Sequence, residues 1–253
     1  MRLAVVMVVA VVLAPAWGLA VRGPAVGAAP PDEDEALLRR ALGTFLRDAS
    51  TLRVEAVPDL YEGGYARISI YARGARLAES GLRIDEAWVR LVGATLNPRE
   101  LRAGHFRVES VRDSSLHLRI SLRSLEEHFA GGNPRSDIRL TAEDGYLVGS
   151  GTVPVNGIPT RVRLRGFFAV DGSTEVYFYI ETAHVNGLPV PTPLVRRLEQ
   201  QINPILTQRT WPVTFRLRSL RLGKEDLVLS SQGDGTCPAC GGVGGGQAPG
   251  VNP

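Results

Sequence analysis

From Ser50 onward, apolar and polar residues alternate along most of the chain. Leu52, Val54 and Ala56 alternate with polar neighbours, and Ala66, Ile68 and Ile70 alternate with Arg67, Ser69 and Tyr71. A run opening at Leu82-Arg83-Ile84 continues through Trp88 to Val92; Phe106 and Val108, then Leu116, Leu118 and Ile120, carry the pattern on. A period of two puts every second side chain on one face, so these segments read as strands with one buried side. The signal is clearest in the centre, where Ile138, Leu140 and Ala142, then Val162 and Leu164, then Val176, Phe178 and Ile180 alternate in turn. Asp144-Gly145, Asn156-Gly157, Asp171-Gly172 and Asn186-Gly187 punctuate these runs. Such pairs accept the positive φ of tight hairpin turns, and they predict an antiparallel meander of long strands.

Helical spacing occurs in four places. Leu38, Leu42, Phe45 and Leu46 share one face of a helix over about Glu35–Leu46, with acids at its favourable N-terminal end. Asn97-Pro98-Arg99-Glu100-Leu101 has a cap residue and a proline at the first helical position, so it reads as a short turn. Ser121–Phe129 reads as a short helix stopped by Gly131-Gly132. Pro193–Leu206 places Leu194, Leu198, Ile202 and Ile205 on one side, and Pro204 should kink or end it. A last strand is expected over Val213–Leu222, with a bulge where the alternation breaks between Leu217 and Leu220. Strands with few, segregated helices imply an α+β domain with an antiparallel sheet.

The ends of the chain do not follow these patterns. Met1-Arg2 precedes an unbroken run of Leu, Ala, Val and Met from Leu3 to Leu13, and Pro15 and small residues follow. This is the layout of a secretion signal, expected over 1–29, and it implies an exported protein of the periplasm, cell envelope or exterior. Residues 30–35 read as an acidic linker, 36–231 as a single domain, and 232–253 as a disordered Gly/Pro-rich tail. The chain has 29 basic and 26 acidic residues, too even a balance for a nucleic-acid binder. The domain holds no cysteine; Cys237 and Cys240 both lie in the tail. Zinc would need a second ligand pair that the chain lacks, so the two read as a local disulfide or as incidental.

Enzymatic signatures are missing. His105, His117, His128 and His184 show no metal-ligand spacing, and no nucleophile elbow or phosphate-binding glycine loop is present. No cofactor is expected. Gly149-Ser150-Gly151 reads as a turn or bulge, Glu126-Glu127 as a solvated helix face, and Asp85-Glu86 as carboxylates without a partner. Arginine placement is more informative. Arg161, Arg163 and Arg165 alternate with Val162 and Leu164, and Arg216 and Arg218 alternate with Phe215 and Leu217. Residues 102–223 carry 16 Arg against 11 acids, so the meander half is the basic half. These guanidiniums form either a solvated outer face or a docking surface for anionic lipid headgroups.

Ser80-Gly81-Leu82-Arg83-Ile84 through Asn97-Pro98-Arg99-Glu100-Leu101, and Asp144-Gly145-Tyr146-Leu147-Val148 with the meander after it, resemble the LmeA-like phospholipid-binding proteins of the bacterial cell envelope. So do Trp211-Pro212-Val213-Thr214-Phe215 and Lys224-Glu225-Asp226-Leu227-Val228-Leu229. The resemblance covers roughly residues 37–230 and brings no catalytic signature. It implies an exported, non-enzymatic protein with a phospholipid as partner and transient contact with a membrane surface. It also implies a fold similar to tubular lipid-binding domains: a strongly curved antiparallel sheet wrapped around one or two amphipathic helices.

On that reading, Val162, Leu164, Val176, Phe178 and Ile180, with Leu194, Leu198 and Ile202, line a cavity for acyl chains. Arg161, Arg163, Arg165, Arg216 and Arg218 are the candidates for the headgroup. Periodicity alone leaves open whether the same apolar residues close a dry core, as in a structural or adaptor protein of the envelope.

Overall fold

A computed structural model describes residues 31–131, 137–155, 158–233 and 237. The expected signal segment 1–29, the Asn156-Gly157 turn, Gly132 and most of the tail, Cys240 included, lie outside the described residues. The chain is α+β and mostly antiparallel strand. Its strands form two sheets, neither strongly curled nor closed, in place of one wrapped meander.

The described residues open with α1 (Pro31–Gly43), followed by β1 (Leu46–Arg47) and β2 (Thr51–Pro58). Three long strands come next: β3 (Gly64–Leu77), β4 (Arg83–Leu96) and, after the turn of helix α2 (Pro98–Arg102), β5 (Val108–Ser121). Together with two late strands they make the first sheet. Leu38, Ala41 and Leu42 of α1 are buried against it. Each leucine stabilises the fold by roughly 1.5–3 kcal/mol through burial.

The acidic stretch expected as a linker is the first turn of α1. Glu35 accepts from the Ala56 N–H, and Asp34 hydrogen-bonds the Tyr65 phenol, so these carboxylates tie the helix to β2 and β3. Burial first, and Asp34 second, push the Tyr65 phenol up to about 12. Alternation in β3 slips near its start: Tyr65 is buried and Ala66 exposed, facing the stretch of β4 where Gly93 takes φ 59°. Asn97 caps α2, its side chain accepting from the N–H groups of Arg99 and Glu100.

Helix α3 (Leu122–Phe129), capped by Ser121, leads to the second sheet. This sheet is a meander of β6 (Asp137–Glu143), β7 (Tyr146–Val155), β8 (Ile158–Asp171), β9 (Glu175–Val185) and the short β10 (Leu188–Pro189). Asp144-Gly145 and Asn186-Gly187 both take positive φ at each residue, as their turns require. Gly149 and Gly151, read from sequence as a turn or bulge, sit inside β7 instead. Helix α4 (Thr192–Ile202) follows, and the chain then returns to the first sheet as β11 (Ser219–Leu222) and β12 (Asp226–Ser230), which pairs with β5.

The expected last strand is shorter than predicted, because its first half serves a different purpose. Residues 213–218 alternate buried and exposed without belonging to a ladder. The Leu217 N–H donates to the Ser173 carbonyl at the end of the second sheet, and the Arg218 N–H donates to Ser230 in the first. The break between Leu217 and Leu220 is therefore where the chain changes sheet.

Candidate functional site

The inner face of the second sheet does not close completely. A cavity of about 220 Å³ lies between it, α3 and α4. Ile138 and Leu140 of β6 and Leu147 of β7 form one wall; Val162 and Leu164 of β8 and Phe178 of β9 form another. Phe129 of α3 and Leu198 and Ile202 of α4 complete the lining, in which Ser150 is the single hydroxyl residue. Phe178 is 1 % exposed, and its ring lies 5.0 Å from Phe168 and 5.9 Å from Phe129.

Two glycines shape this space. A side chain at Gly166 would collide with the Phe178 ring, so glycine there lets that ring lie against β8. A Cβ at Gly149 would stand 3.2 Å from the side-chain tips of Leu140 and Leu164, so the missing side chain is part of the cavity's volume. Sequence reading missed both Gly149 and the contributions of Phe129, Ile138, Leu140 and Leu147. The signal was present, because glycine inside an alternating run marks a place where something approaches the backbone.

The two helices are tied to the sheet by polar side chains at its edges. Glu126 Oε1 accepts from the Leu140 N–H of edge strand β6 at 2.7 Å, so this glutamate is not the solvated group expected. Beyond its short pairing with β10, β9 is also an edge, and α4 caps it. Glu199 Oε1 accepts from the Ile180 N–H at 2.7 Å. Asn203 accepts from the Phe178 N–H at 2.7 Å and donates to its carbonyl at 2.9 Å. Despite these bonds no residue of α4 is fully buried.

Of the eight cavity candidates, Val162, Leu164, Phe178, Leu198 and Ile202 line this space. Val176 and Ile180 are buried in closed core outside it, and Leu194 is 55 % exposed at the surface. The physical reason is the short docking of α4: its side-chain bonds to the sheet lie at Glu199 and Asn203, and Leu194, one turn beyond Leu198, projects past the cavity.

The arginines are placed on the other side. Arg161, Arg163 and Arg165 line an open groove on the outer face of β7, β8 and β9, with Thr152, Thr182 and His184. Arg165 pairs with Glu181 at 2.8 Å and lies 3.7 Å over the Tyr146 ring. Arg216 and Arg218 do not join them. They are exposed on the sheet-changing segment, near the Ser173 end of the meander.

The remaining polar candidates hold the fold together. Asp85 accepts from the Ser121 N–H and the Ser124 hydroxyl, and Glu86 pairs with Arg119 at 3.0 Å. His117 stacks edge-on to Trp88, and burial lowers its pKa against the opposing pull of Glu86. Burial alone lowers that of His128. No metal-binding cluster exists among the described residues. A second apolar crevice, beneath the first sheet near Trp211 and Phe215, holds only about 40 Å³, so that half of the molecule is essentially closed core.

A model of the LmeA-like phospholipid-binding family matches residues 35–232. The chain belongs to this family. The LmeA-like match spans both sheets and all of the cavity lining. No curated protein and no solved structure matches the chain. The LmeA-like assignment supports phospholipid as the partner.

Proposed function

We propose that this protein is an exported, non-enzymatic phospholipid carrier that holds acyl chain in the cavity between the second sheet and α4. The observation that carries the reading is the cavity itself: about 220 Å³ with nearly all-apolar walls, in a member of a phospholipid-binding family. That volume is below the roughly 300–1,000 Å³ of common ligand pockets, so it accommodates part of one acyl chain and not a whole lipid. Each methylene taken from water contributes about 0.8 kcal/mol. The phosphate end would remain at the surface, where guanidiniums provide the attraction. Arg161, Arg163 and Arg165 are on the opposite side of β8 from the chain site, so they would meet anionic headgroups separately from it.

The wider fold reading is tubular: antiparallel sheet wrapped around the amphipathic helices α1 and α4. Supporting it is the way both helices lie against apolar sheet faces. Export rests on the charged start and apolar run of residues 2–13, with residues 1–29 as the signal.

Native mass spectrometry of the mature protein, followed by extraction and identification of bound lipid, tests the proposal. A stoichiometric phospholipid is expected. A bare protein that also refuses added phosphatidylglycerol would refute it, and would favour an envelope adaptor with a closed core.

A further inference from the structure

Besides Phe167 of β8 and Tyr179 of β9, large apolar side chains are exposed in two groups. One is the tip of the β2–β3 turn, where Leu60 and Tyr61 are 95 % and 77 % exposed. Asp59 and Glu62 flank them, a poor match for any anionic surface. The other group runs from β10 into α4 and reaches the cavity at Leu198. Leu188 on β10 is 71 % exposed, and Leu194 and Leu198 of α4 are 55 % and 38 % exposed. Only Val190-Pro191 separates β10 from the helix. Leu194 and Leu198 are one turn apart on the same face.

Three features define what fits this second group. Leu198 is both exposed and part of the cavity lining, so the outer apolar surface is continuous with the inner one. The same helix carries Arg196 and Arg197, and neither makes an ion pair among the described residues. The helix is bonded to the sheet through its C-terminal half, at Glu199 and Asn203, while from its N-terminal half only Val195 packs against the core. Exposed leucines beside unpaired arginines match the interfacial zone of a bilayer, apolar below and anionic above. No helix among the described residues is long and apolar enough to cross a membrane, so the contact is with the surface layer.

We infer that the Leu188–Leu198 rim, β10 with the N-terminal half of α4, docks on anionic bilayers and passes lipid chains past Leu198 into the cavity. The inference rests on the cavity being a lipid site, and it adds the surface through which lipid arrives.

The test compares two routes of loading in the full mature protein. Uptake is measured by native mass spectrometry from phosphatidylcholine vesicles with and without phosphatidylglycerol, and separately from monomeric lysophosphatidylglycerol. Vesicle binding is measured by co-sedimentation. The variant Leu188→Glu/Leu194→Glu changes only exposed residues outside the cavity, and Tyr61→Glu serves as the control. Wild type and the control should bind and load from phosphatidylglycerol vesicles, whereas the double variant should lose at least tenfold in both while taking up monomeric lipid normally. Arg196→Ala and Arg197→Ala should each weaken vesicle binding by about fivefold.

Vesicle loading by the double variant at the wild-type rate would overturn the docking assignment. So would equal wild-type binding to vesicles lacking phosphatidylglycerol. If wild type binds vesicles through these leucines yet never retains monomeric lipid, the docking surface stands and the cavity reading falls.

Discussion

Gly149→Leu introduces a side chain into the cavity from a position that has none. The site has ordinary strand geometry, with no positive φ to oppose the change. The new Cβ stands 3.2 Å from the tips of Leu140 and Leu164, which must give by a few tenths of an ångström. They border empty space, so they can. Overpacking of this kind costs about 1–3 kcal/mol in a filled core, and the cavity should hold it to the low end. The rest of the side chain occupies volume that an acyl chain would otherwise take, displacing about four of its carbons. At about 0.8 kcal/mol each, lipid binding weakens by about 3 kcal/mol, or roughly a hundredfold in Kd. Displacement of a fluorescent fatty-acyl probe by monomeric lysophosphatidylglycerol gives the affinity, and a thermal melt checks folding. A variant that melts within about 5 °C of wild type and binds lipid with unchanged Kd would show that the chain does not lie beside Gly149.

Three further outcomes are expected. Phe178→Ala removes a fully buried ring in contact with Phe129 and Phe168 and should cost about 3–5 kcal/mol, read as a Tm drop of roughly 10 °C or more; a shift of a degree or two would show the site collapses freely. Glu199→Ala strips the partner from the Ile180 N–H at a cost of about 1–3 kcal/mol, and amide exchange should rise in α4 and the edge of β9 but not in the first sheet; unchanged exchange in α4 would remove the tether from the account. His117 and His128 are both held below the ordinary imidazole value of 6.5 in the folded protein, chiefly by burial. The unfolded chain therefore binds their protons more readily, so stability is full above that value and falls as the pH drops below it; urea midpoints should decline on acidification, less steeply in His128→Asn, and a flat wild-type profile over that range contradicts the assignment.

Local chemistry was legible in the sequence wherever a residue type has one use. Asn97-Pro98 gave a cap and a first turn, Ser121 gave another cap, and Asn186-Gly187 gave a hairpin, because each meets a backbone need within a few residues. The division into two sheets was not legible. Period two reports which side of a strand is buried, and not which sheet owns it, so residues 213–218 looked like the start of a strand when they bridge both. The cavity was half legible. Val162, Leu164 and Phe178 were marked by alternation, but an inward residue reads the same whether it meets a neighbour, as Val176 does, or a void. Glu126 was read as solvated, and Asp34 as part of a linker, because acidic residues next to one another look like surface. Their hydrogen bonds to Leu140 and Tyr65 depend on partners brought close only by folding.

The return of β12 to β5 also sets a timetable. On the ribosome, β5 is complete at Ser121, yet β12, the strand that covers its edge, begins only at Asp226, after the entire second sheet. At roughly 5–20 residues per second, that interval lasts about 5–20 s. During it the stretch His117–Ser121, which β12 later covers, is an open edge that can mispair with another nascent chain. The part of β5 that β12 never reaches carries Glu109, Arg112 and Asp113, charges that discourage such pairing permanently. Protection at one end of the strand is thus built into its composition, and at the other it arrives late, with nearly the last residues of the folded region.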